Sequence, residues 1–174
     1  MPTIRRAWSR AVGRGANTGG GAPTAGGKAR RERDGPFDVT DVYRAQESPA
    51  EVERTILATA SLDGPNVTIR LPQDPGAAGK AYAQTLVKML AGYSVKAVPP
   101  TGDKSTRATP AAAQAEAGNV KLLRGEWNEA FMDELCTFPA GAHDDQVDAF
   151  ADAVNELALA QTSTVALFLS KRHR

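Results

Sequence analysis

Short apolar runs separated by longer amphipathic stretches extend over most of the chain after residue 36. Residues 37–43 alternate apolar and polar side chains, which is typical of a half-exposed β-strand. Three further apolar runs, at residues 67–71, 94–98 and 120–123, are each bounded on at least one side by Pro, Gly or Asn. They predict three more strands, because such residues end regular structure.

The stretches between and after these runs have the apolar spacing of amphipathic helices. The first opens at Ser48, where Ser48 and Glu51 form a capping box, and its inward side is predicted to be Val52, Ile56, Leu57 and Ala60. The others cover residues 78–90, 106–117 and 127–135, followed by a last helix that runs through residue 159. Strands separated by such helices predict an α/β fold, a sheet with parallel pairs and helices on its faces.

The first 34 residues differ in composition from the rest of the chain. They are rich in glycine, and eight Lys or Arg residues face only Glu32 and Asp34. Residues 4–8 predict a short strand, but most of the segment is expected to be a partly disordered leader. A basic arm that binds nucleic acid is the alternative. The predicted organisation is a leader (1–34), one folded domain (35–160) and a tail (161–174) whose basic end is either disordered or a DNA contact.

The overall composition is that of an ordinary soluble domain, with 41% hydrophobic residues, 24% charged residues and a net charge of +1. A nucleic-acid partner would therefore have to be bound by a local patch. The single cysteine excludes an intramolecular disulfide and a Cys-rich zinc site. No apolar run has the length of a membrane span, and the N-terminus lacks the apolar centre of a signal peptide. A cytosolic location is expected.

Two glycine-rich stretches that contain a lysine, at residues 21–28 and 76–80, do not match the phosphate-binding loop of ATPases. In both the glycine spacing is wrong, and Lys28 and Lys80 are each followed by alanine rather than Ser or Thr. No ATPase site is predicted.

The sequence GAHDDQVDAF at residues 141–150 marks the start of the last helix. Asp144 is placed as the N-cap, its carboxylate accepting from the free amides of the first turn. Asp145 and Asp148 are three residues apart, so they project from one face. Such a pair suits a hard cation, because Mg²⁺ usually takes one or two protein carboxylates. The alternative is that first-turn acids merely suit the helix dipole.

A third carboxylate follows the second of the apolar strands. Asp74 lies just beyond residues 67–71, at the end of the strand where ligands bind in sheets of this kind. An Asp-Pro-Gly turn is the alternative reading. If Asp74 joins Asp145 and Asp148, three carboxylates converge on a metal centre, with the Asp74 and Asp145 groups roughly 4–6 Å apart. Acids without a Cys or His cluster suit Mg²⁺ or Mn²⁺ better than zinc.

Three motifs together resemble the C-terminal nuclease domain of phage terminase large subunits. They are LPQDPG at 71–76, TGDKSTRA at 101–108 and FPAGAHDDQVDA at 138–149, in the family's order and spacing over roughly residues 37–159. The resemblance implies a ribonuclease-H-like mixed sheet flanked by helices. It also implies a nuclease that cuts double-stranded viral DNA with two divalent metals, Mg²⁺ or Mn²⁺, during genome packaging in the host cytoplasm.

The resemblance also assigns roles to particular residues. Asp74 matches the family's central metal carboxylate, and Asp145 with Asp148 matches its last acidic motif. Lys104 and Arg107 match positions that face the cleft and would hold DNA phosphates; a solvated helix start is the alternative. His143 either assists at the metal site or is a loop histidine without a catalytic task. The family's partners are its ATPase domain, the small terminase subunit and the portal.

One departure from the family pattern falls in the first strand. The family usually has Arg-Ala-Trp-Asp there, its aspartate bridging both metals, whereas Arg6-Ala7-Trp8 is followed here by Ser9. A neutral hydroxyl is a poor substitute for a bridging carboxylate, and the first strand is expected to be degraded. The family's ATPase domain is also missing, which indicates a fragment, a prophage remnant or a mis-started reading frame. The expectation is a nuclease impaired at Ser9 or, alternatively, a non-catalytic DNA-binding or packaging-motor assembly remnant.

Overall fold

The computed structural model describes residues 3–10, 23–32 and 35–171. In these ranges it contains the strands β1 (Thr3–Arg10), β2 (Thr24–Arg31), β3 (Phe37–Ala45), β4 (Thr68–Pro72), β5 (Ser94–Val98) and β6 (Val120–Leu122). The helices are α1 (Pro49–Asp63), α2 (Gly76–Met89), α3 (Lys104–Glu116), α4 (Asn128–Thr137) and α5 (Asp145–Lys171). The strands and helices predicted after residue 36 are all present, with bounds shifted by a few residues, except that the last helix ends at Lys171 rather than at residue 159.

The strands form one mixed sheet in the order β5-β4-β1-β2-β3-β6. β1, β2 and β3 are an antiparallel meander, while β4 pairs with β1, β5 with β4 and β6 with β3 in parallel. Five strands therefore run in one direction and β2 runs against them. Their carboxyl ends lie at one side of the sheet, called here the carboxyl edge, where parallel sheets place their sites.

The segment expected to be a leader contributes two of the central strands. β1 and β2 pair over eight positions, and Ala25 and Ala29 are among the most buried residues of the chain. The short strand predicted at residues 4–8 is present as β1, and it pairs with both β2 and β4, so the first strand is not degraded as expected. The expectation of disorder is wrong for residues 23–32, which form β2. The glycine and alanine content that suggested disorder instead suits a strand lying directly under a helix. Residues 11–22 and 33–34, and with them part of the proposed basic arm, lie outside the described residues.

Helices cover both faces of the sheet. α1 and α2 pack on one face around Ile56, Ile69 and Leu86. On the other face α5 crosses the sheet and packs with α3 and α4 around Phe37, Phe131 and other core side chains. Leu57, predicted to point inward from α1, has 39% of its surface exposed. α5 continues past residue 159 into the segment predicted as a tail, and the basic end at 172–174 lies outside the described residues.

Local signals in the sequence position several of these helices. The capping box at the start of α1 is present, with Ser48 and Glu51 exchanging hydrogen bonds. Phe131 on α4 is buried and packs edge-on against Phe150 on α5, with ring centroids 5.7 Å apart. No helix in the described part of the chain is long and apolar enough to cross a membrane.

A close contact sets the distance between α5 and the sheet. A Cβ atom at Gly27 of β2 would lie 3.3 Å from both the carbonyl carbon and the carbonyl oxygen of Ala149. Most side-chain carbons do not approach backbone atoms so closely, so a residue without Cβ allows the helix to rest on the strand. Gly27 pairs with Ala7, which places this contact over the centre of the meander.

The α1 face contains a buried ion cluster that the sequence did not suggest. Arg6 is only 3% exposed and donates to Asp63 at 2.5 Å and to Asp41 at 2.7 Å. Lys28 donates to Asp63 at 2.7 Å. Burial would raise the pKa of Asp63, but the hydrogen bonds and charges of Arg6 and Lys28 outweigh it and hold the pKa below its ordinary value. The cluster fixes the end of α1 to the centre of the sheet.

Candidate metal centre at the start of α5

A row of paired residues leads across the carboxyl edge to the start of α5. Ser9 of β1 pairs with Ala25 of β2, and Ala25 pairs with Arg44 of β3. Arg44 lies 3.8 Å from the Glu134 carboxylate, which in turn accepts from the amide of Gln146 in the first turn of α5. The register therefore places the backbone of Ser9 in the row that ends at α5. The structure describes the backbone of Ser9 but not its side chain.

Glu134 of α4 caps α5. Its Oε1 accepts from the amides of Gln146 and Val147 at 2.6 and 3.2 Å, and its Oε2 accepts from the Gln146 side chain at 2.7 Å. The capping carboxylate was expected from Asp144. Asp144 does occupy the cap position, because its carbonyl accepts from Asp148, but its carboxylate lies instead 2.5 Å from Lys104. A local capping rule considers only residues next to the helix start, so it could not identify Glu134, which lies twelve residues before Gln146.

Asp145 is the most deeply buried acid of the group, with 3% of its surface exposed. Burial is the main reason that its pKa rises from 3.8 to about 6, and the neighbouring charge of Asp144 raises it further, while Lys104 opposes the shift. Near neutral pH the carboxylate is mostly ionised but poorly solvated. Such a group gains more from a bound cation than an exposed acid does.

Asp148 lies one turn further along α5 and carries two basic partners. Arg107 donates to its Oδ1 at 2.8 Å, and Lys104 lies 3.4 Å from its Oδ2. Burial lowers the pKa of Lys104, but the hydrogen bond and charges of Asp144 and Asp148 outweigh it and raise the pKa. Both predicted DNA-binding residues therefore lie at the acidic start of α5 and are paired with its carboxylates.

The acidic stripe continues down α5 with residues that sequence reasoning missed. Arg70 of β4 lies 3.0 Å from Asp152 and 3.2 Å from Glu156, and Lys96 of β5 lies 3.4 Å from Glu156. Burial raises the pKa of Asp152 despite the opposing charge of Arg70. The helical spacing of the acids on α5 was a signal that could have placed them on one face; they are Asp145, Asp148, Asp152 and Glu156. Their partners on the strands were not predictable from the sequence. These pairs fix α5 across β4 and β5.

Asp74 lies at the same edge, between β4 and α2. The Gln73 amide donates to the Val98 carbonyl at 3.1 Å, which ties the end of β4 to the end of β5. A Cβ atom at Gly79 would overlap the carbonyl oxygen and Cβ of Asp74, so glycine is required where the loop folds over α2. Asp74 also lines an open cavity of about 350 Å³ with Lys80 and Pro99 among its neighbours.

The acids of this edge suit a hard cation in number and chemistry, but they do not form a complete cage. Asp145 and Asp148 carry carboxylate oxygens on one helix turn, and magnesium needs only one or two protein carboxylates. Among the side chains that the structure describes, no group of three or more His, Cys, Asp or Glu residues is placed to hold a metal ion. The participation of Asp74 stays a prediction. His143 is exposed in the loop before α5.

The strand order, the helix crossing the meander and the acids at its start define a ribonuclease-H-like α/β domain, as predicted. The family follows from the sequence: the model of the terminase RNaseH-like domain matches residues 16–157, so the chain belongs to that family. The match begins within the segment first read as a leader, in agreement with the place of β2 in the sheet.

Solved structures support the same fold. The large terminase nuclease from thermophilic phage G20c with bound zinc is 19% identical, with a TM-score of 0.60 over 80% of this chain and 77% of that chain. The same nuclease with bound magnesium is 17% identical, with a TM-score of 0.58 over 86% and 80%. RuvC of T. thermophilus in complex with Holliday junction substrate is 12% identical, with a TM-score of 0.52 over 93% and 97%. No curated protein matches the sequence.

Proposed function

We propose that this chain is the metal-dependent endonuclease domain of a phage or prophage terminase large subunit. It would cut double-stranded DNA during genome packaging, with Asp74, Asp145 and Asp148 as metal ligands. Membership of the terminase RNaseH-like family supports this function. The observation that carries it is the burial of Asp145 beside Asp148 at the carboxyl edge, because an ionised carboxylate is kept in such a place where a cation can compensate it.

In this proposal the residues at the carboxyl edge have separate roles in binding the metal and the DNA. Asp145 and Asp148 offer oxygen ligands from a helix turn that Glu134 holds in place. Asp74 approaches from the end of β4, the strand parallel to β1. Lys104 and Arg107, in the first turn of α3, pair with carboxylates at the start of α5. In the proposed complex Lys104 would bind a DNA phosphate, and Arg107 would contribute its charge from its place beside Asp148. A divalent cation bound among these acids would activate water and stabilise the leaving oxygen of a phosphodiester.

Mg²⁺ or Mn²⁺ is the cofactor that the donor set favours, since carboxylates without thiolates or imidazoles suit hard cations. The G20c terminase nuclease has been crystallised with magnesium, cobalt and zinc, which supports a divalent site in domains of this fold. The proposed partners are double-stranded DNA, the terminase ATPase domain, the small terminase subunit and the portal. The proposed place of action is the cytoplasm of the bacterial host.

A specific observation favours a second function. Position 9, in the row that leads to α5, carries a serine where the family usually has an aspartate, and the described acids form no three-residue metal cluster. A chain that has lost one ligand in this way would bind DNA or its packaging partners without cutting. The alternative is therefore a non-catalytic DNA-binding or packaging-motor assembly module.

Plasmid nicking in Mn²⁺ separates the two functions. We expect the wild-type chain to nick supercoiled DNA and both Asp74→Ala and Asp145→Asn to abolish nicking. Glu116→Gln, an exposed acid at the end of α3, is the matched control and should nick normally. Thermal unfolding of each variant verifies that it is folded. Absence of nicking by the wild type at any protein concentration, together with retained DNA binding, would establish the non-catalytic module.

A further inference from the structure

One lysine occupies the position of a counter-ion among the acids of α5. The Lys104 ammonium lies 2.5 Å from Asp144 Oδ1 and 3.4 Å from Asp148 Oδ2. It therefore bridges two carboxylates on either side of Asp145 in the sequence. A bound divalent cation would draw on oxygens of the same turn, so the ammonium and the metal compete for overlapping ligands.

We propose that Lys104 is an intramolecular counter-cation that occupies the acidic start of α5 until a divalent metal displaces it. This inference rests on the metal centre proposed above and adds a regulation of that centre by the chain itself. In the metal-free state the lysine reduces repulsion among Asp144, Asp145 and Asp148. Metal binding then includes the cost of breaking the lysine contacts, and the apparent affinity for the metal is lower than that of the acids alone.

The neighbouring arginine is not suited to this exchange. Arg107 donates to Asp148 at 2.8 Å and to the carbonyl of Gly102 at 3.3 Å, and its own carbonyl accepts from Asn155 of α5. Its side chain is only 18% exposed. Arg107 is thus anchored in the contact between α3 and α5 and remains there when the metal binds.

Lys104 has the freedom that Arg107 lacks. Its side chain is 46% exposed and it is the first residue of α3. A flexible four-carbon stem allows its ammonium to move into solvent without disturbing the helix. Once displaced, the ammonium is free to contact a DNA phosphate at the same edge, so metal binding and exposure of this charge to DNA occur together.

The test is calorimetric titration of the metal-free full chain with MnCl₂. We expect Lys104→Gln to bind Mn²⁺ about two- to fivefold more tightly than wild type, the range of a partly exposed ion pair. Lys104→Arg, which keeps the charge, should stay close to wild type. Lys121→Gln, an exposed lysine on β6, controls for the general loss of a positive charge. The heat of Mn²⁺ binding that is lost in Asp145→Asn is the heat of binding at the proposed centre.

The outcomes separate this inference from the proposed function. Tighter Mn²⁺ binding in Lys104→Gln but not in Lys121→Gln supports the counter-cation. Binding that depends on Asp145 but is unchanged or weaker in Lys104→Gln overturns the counter-cation and leaves the metal centre intact. Absence of Asp145-dependent binding in every variant overturns the metal centre and the inference with it. Circular dichroism of the metal-free Lys104→Gln chain excludes unfolding as the cause of weaker binding.

Discussion

Glu134 of α4 accepts a hydrogen bond at 2.6 Å from the backbone amide of Gln146, so one helix supplies the N-terminal cap of the next. The same carboxylate accepts from Val147 and from the Gln146 side chain. Asp145 precedes these residues directly, and its orientation therefore depends on a residue that belongs to another helix. The candidate centre at the start of α5 would therefore require α4 to be folded and in place.

Replacement of this cap should destabilise the fold. Glu134→Ala leaves buried amides without an acceptor, and we expect it to lower the free energy of unfolding by about 2–4 kcal/mol. Glu134→Gln keeps one acceptor oxygen and should cost less. Urea denaturation followed by circular dichroism measures both. The exposed neighbour Asp133, replaced by alanine, should change stability by less than about 0.5 kcal/mol; an equal loss in both variants would contradict the capping role.

Asp145 should make stability depend on pH in the absence of metal. Because the folded-state pKa is raised to about 6, the ionised form destabilises the fold fully above that pH, and the cost disappears as the pH falls towards 3.8. We expect Asp145→Asn to gain about 1–3 kcal/mol at pH 8 in EDTA and almost nothing at pH 4. Mn²⁺ should stabilise the wild type but not the variant. A gain that is the same at both pH values would refute this account.

Ser9→Asp tests whether the centre lacks one ligand. Ser9 is the last but one residue of β1, at the carboxyl edge, and the family resemblance implies a metal-bridging aspartate at this position. A carboxylate there should therefore add a third hard ligand. Without metal the change should be neutral or slightly destabilising, because carboxylates around an empty site repel each other. With Mn²⁺ we expect a larger rise in melting temperature and faster nicking than in wild type.

The matched control for Ser9→Asp is Ser94→Asp, which adds the same charge at the start of β5, an edge strand. It should change neither the Mn²⁺-dependent melting shift nor the nicking rate. If Ser9→Asp behaves like this control, position 9 does not contribute to the centre.

The ion cluster on the opposite face should show the reverse pH dependence. The pKa of Asp63 is held below its ordinary value, so its contribution is present above the unfolded-state pKa near 3.8 and is lost as the pH falls through the lower, folded value. Asp63→Asn removes the carboxylate that Arg6 and Lys28 share and leaves the buried Arg6 paired with Asp41. We expect a loss of roughly 3 kcal/mol at pH 7. The loss should shrink at pH 2–3. Asp38→Asn, which removes an exposed pair with Arg30, should have little effect at either pH.

Local patterns predicted most of the fold after residue 36. The strand at residues 94–98 and the capping box at Ser48 were identified with the correct bounds and partners, because both depend on neighbours in sequence. The same rules failed for β2, where small residues looked like a linker. Their burial under α5 comes from residues more than a hundred positions away, which no local window contains.

The candidate centre was likewise predicted only in part. Helical spacing placed Asp145 and Asp148 on one turn, and the structure has them at the start of α5. The contacts of Lys104 with Asp144 and of Arg70 with Asp152 join separate elements, and they exist only because α5 lies across the sheet. Glu134 falls in the helix predicted at residues 127–135, but its role as the cap of α5 was not predicted, for the same reason.

The contact between Gly27 and Ala149 links the packing of the domain to its proposed chemistry. α5 contributes more residues than any other element to one core, and it also carries the acidic residues. The absence of a side chain at Gly27 allows it to lie close to the strands. A Cβ atom at that position would require Ala149 to move by a few tenths of an ångström, and Ala149 follows Asp148 directly. Changes in core packing and changes in the position of the acids are therefore not independent in this domain, and variation at a chemically inert glycine on the neighbouring strand can alter how the acids contact a metal or a phosphate.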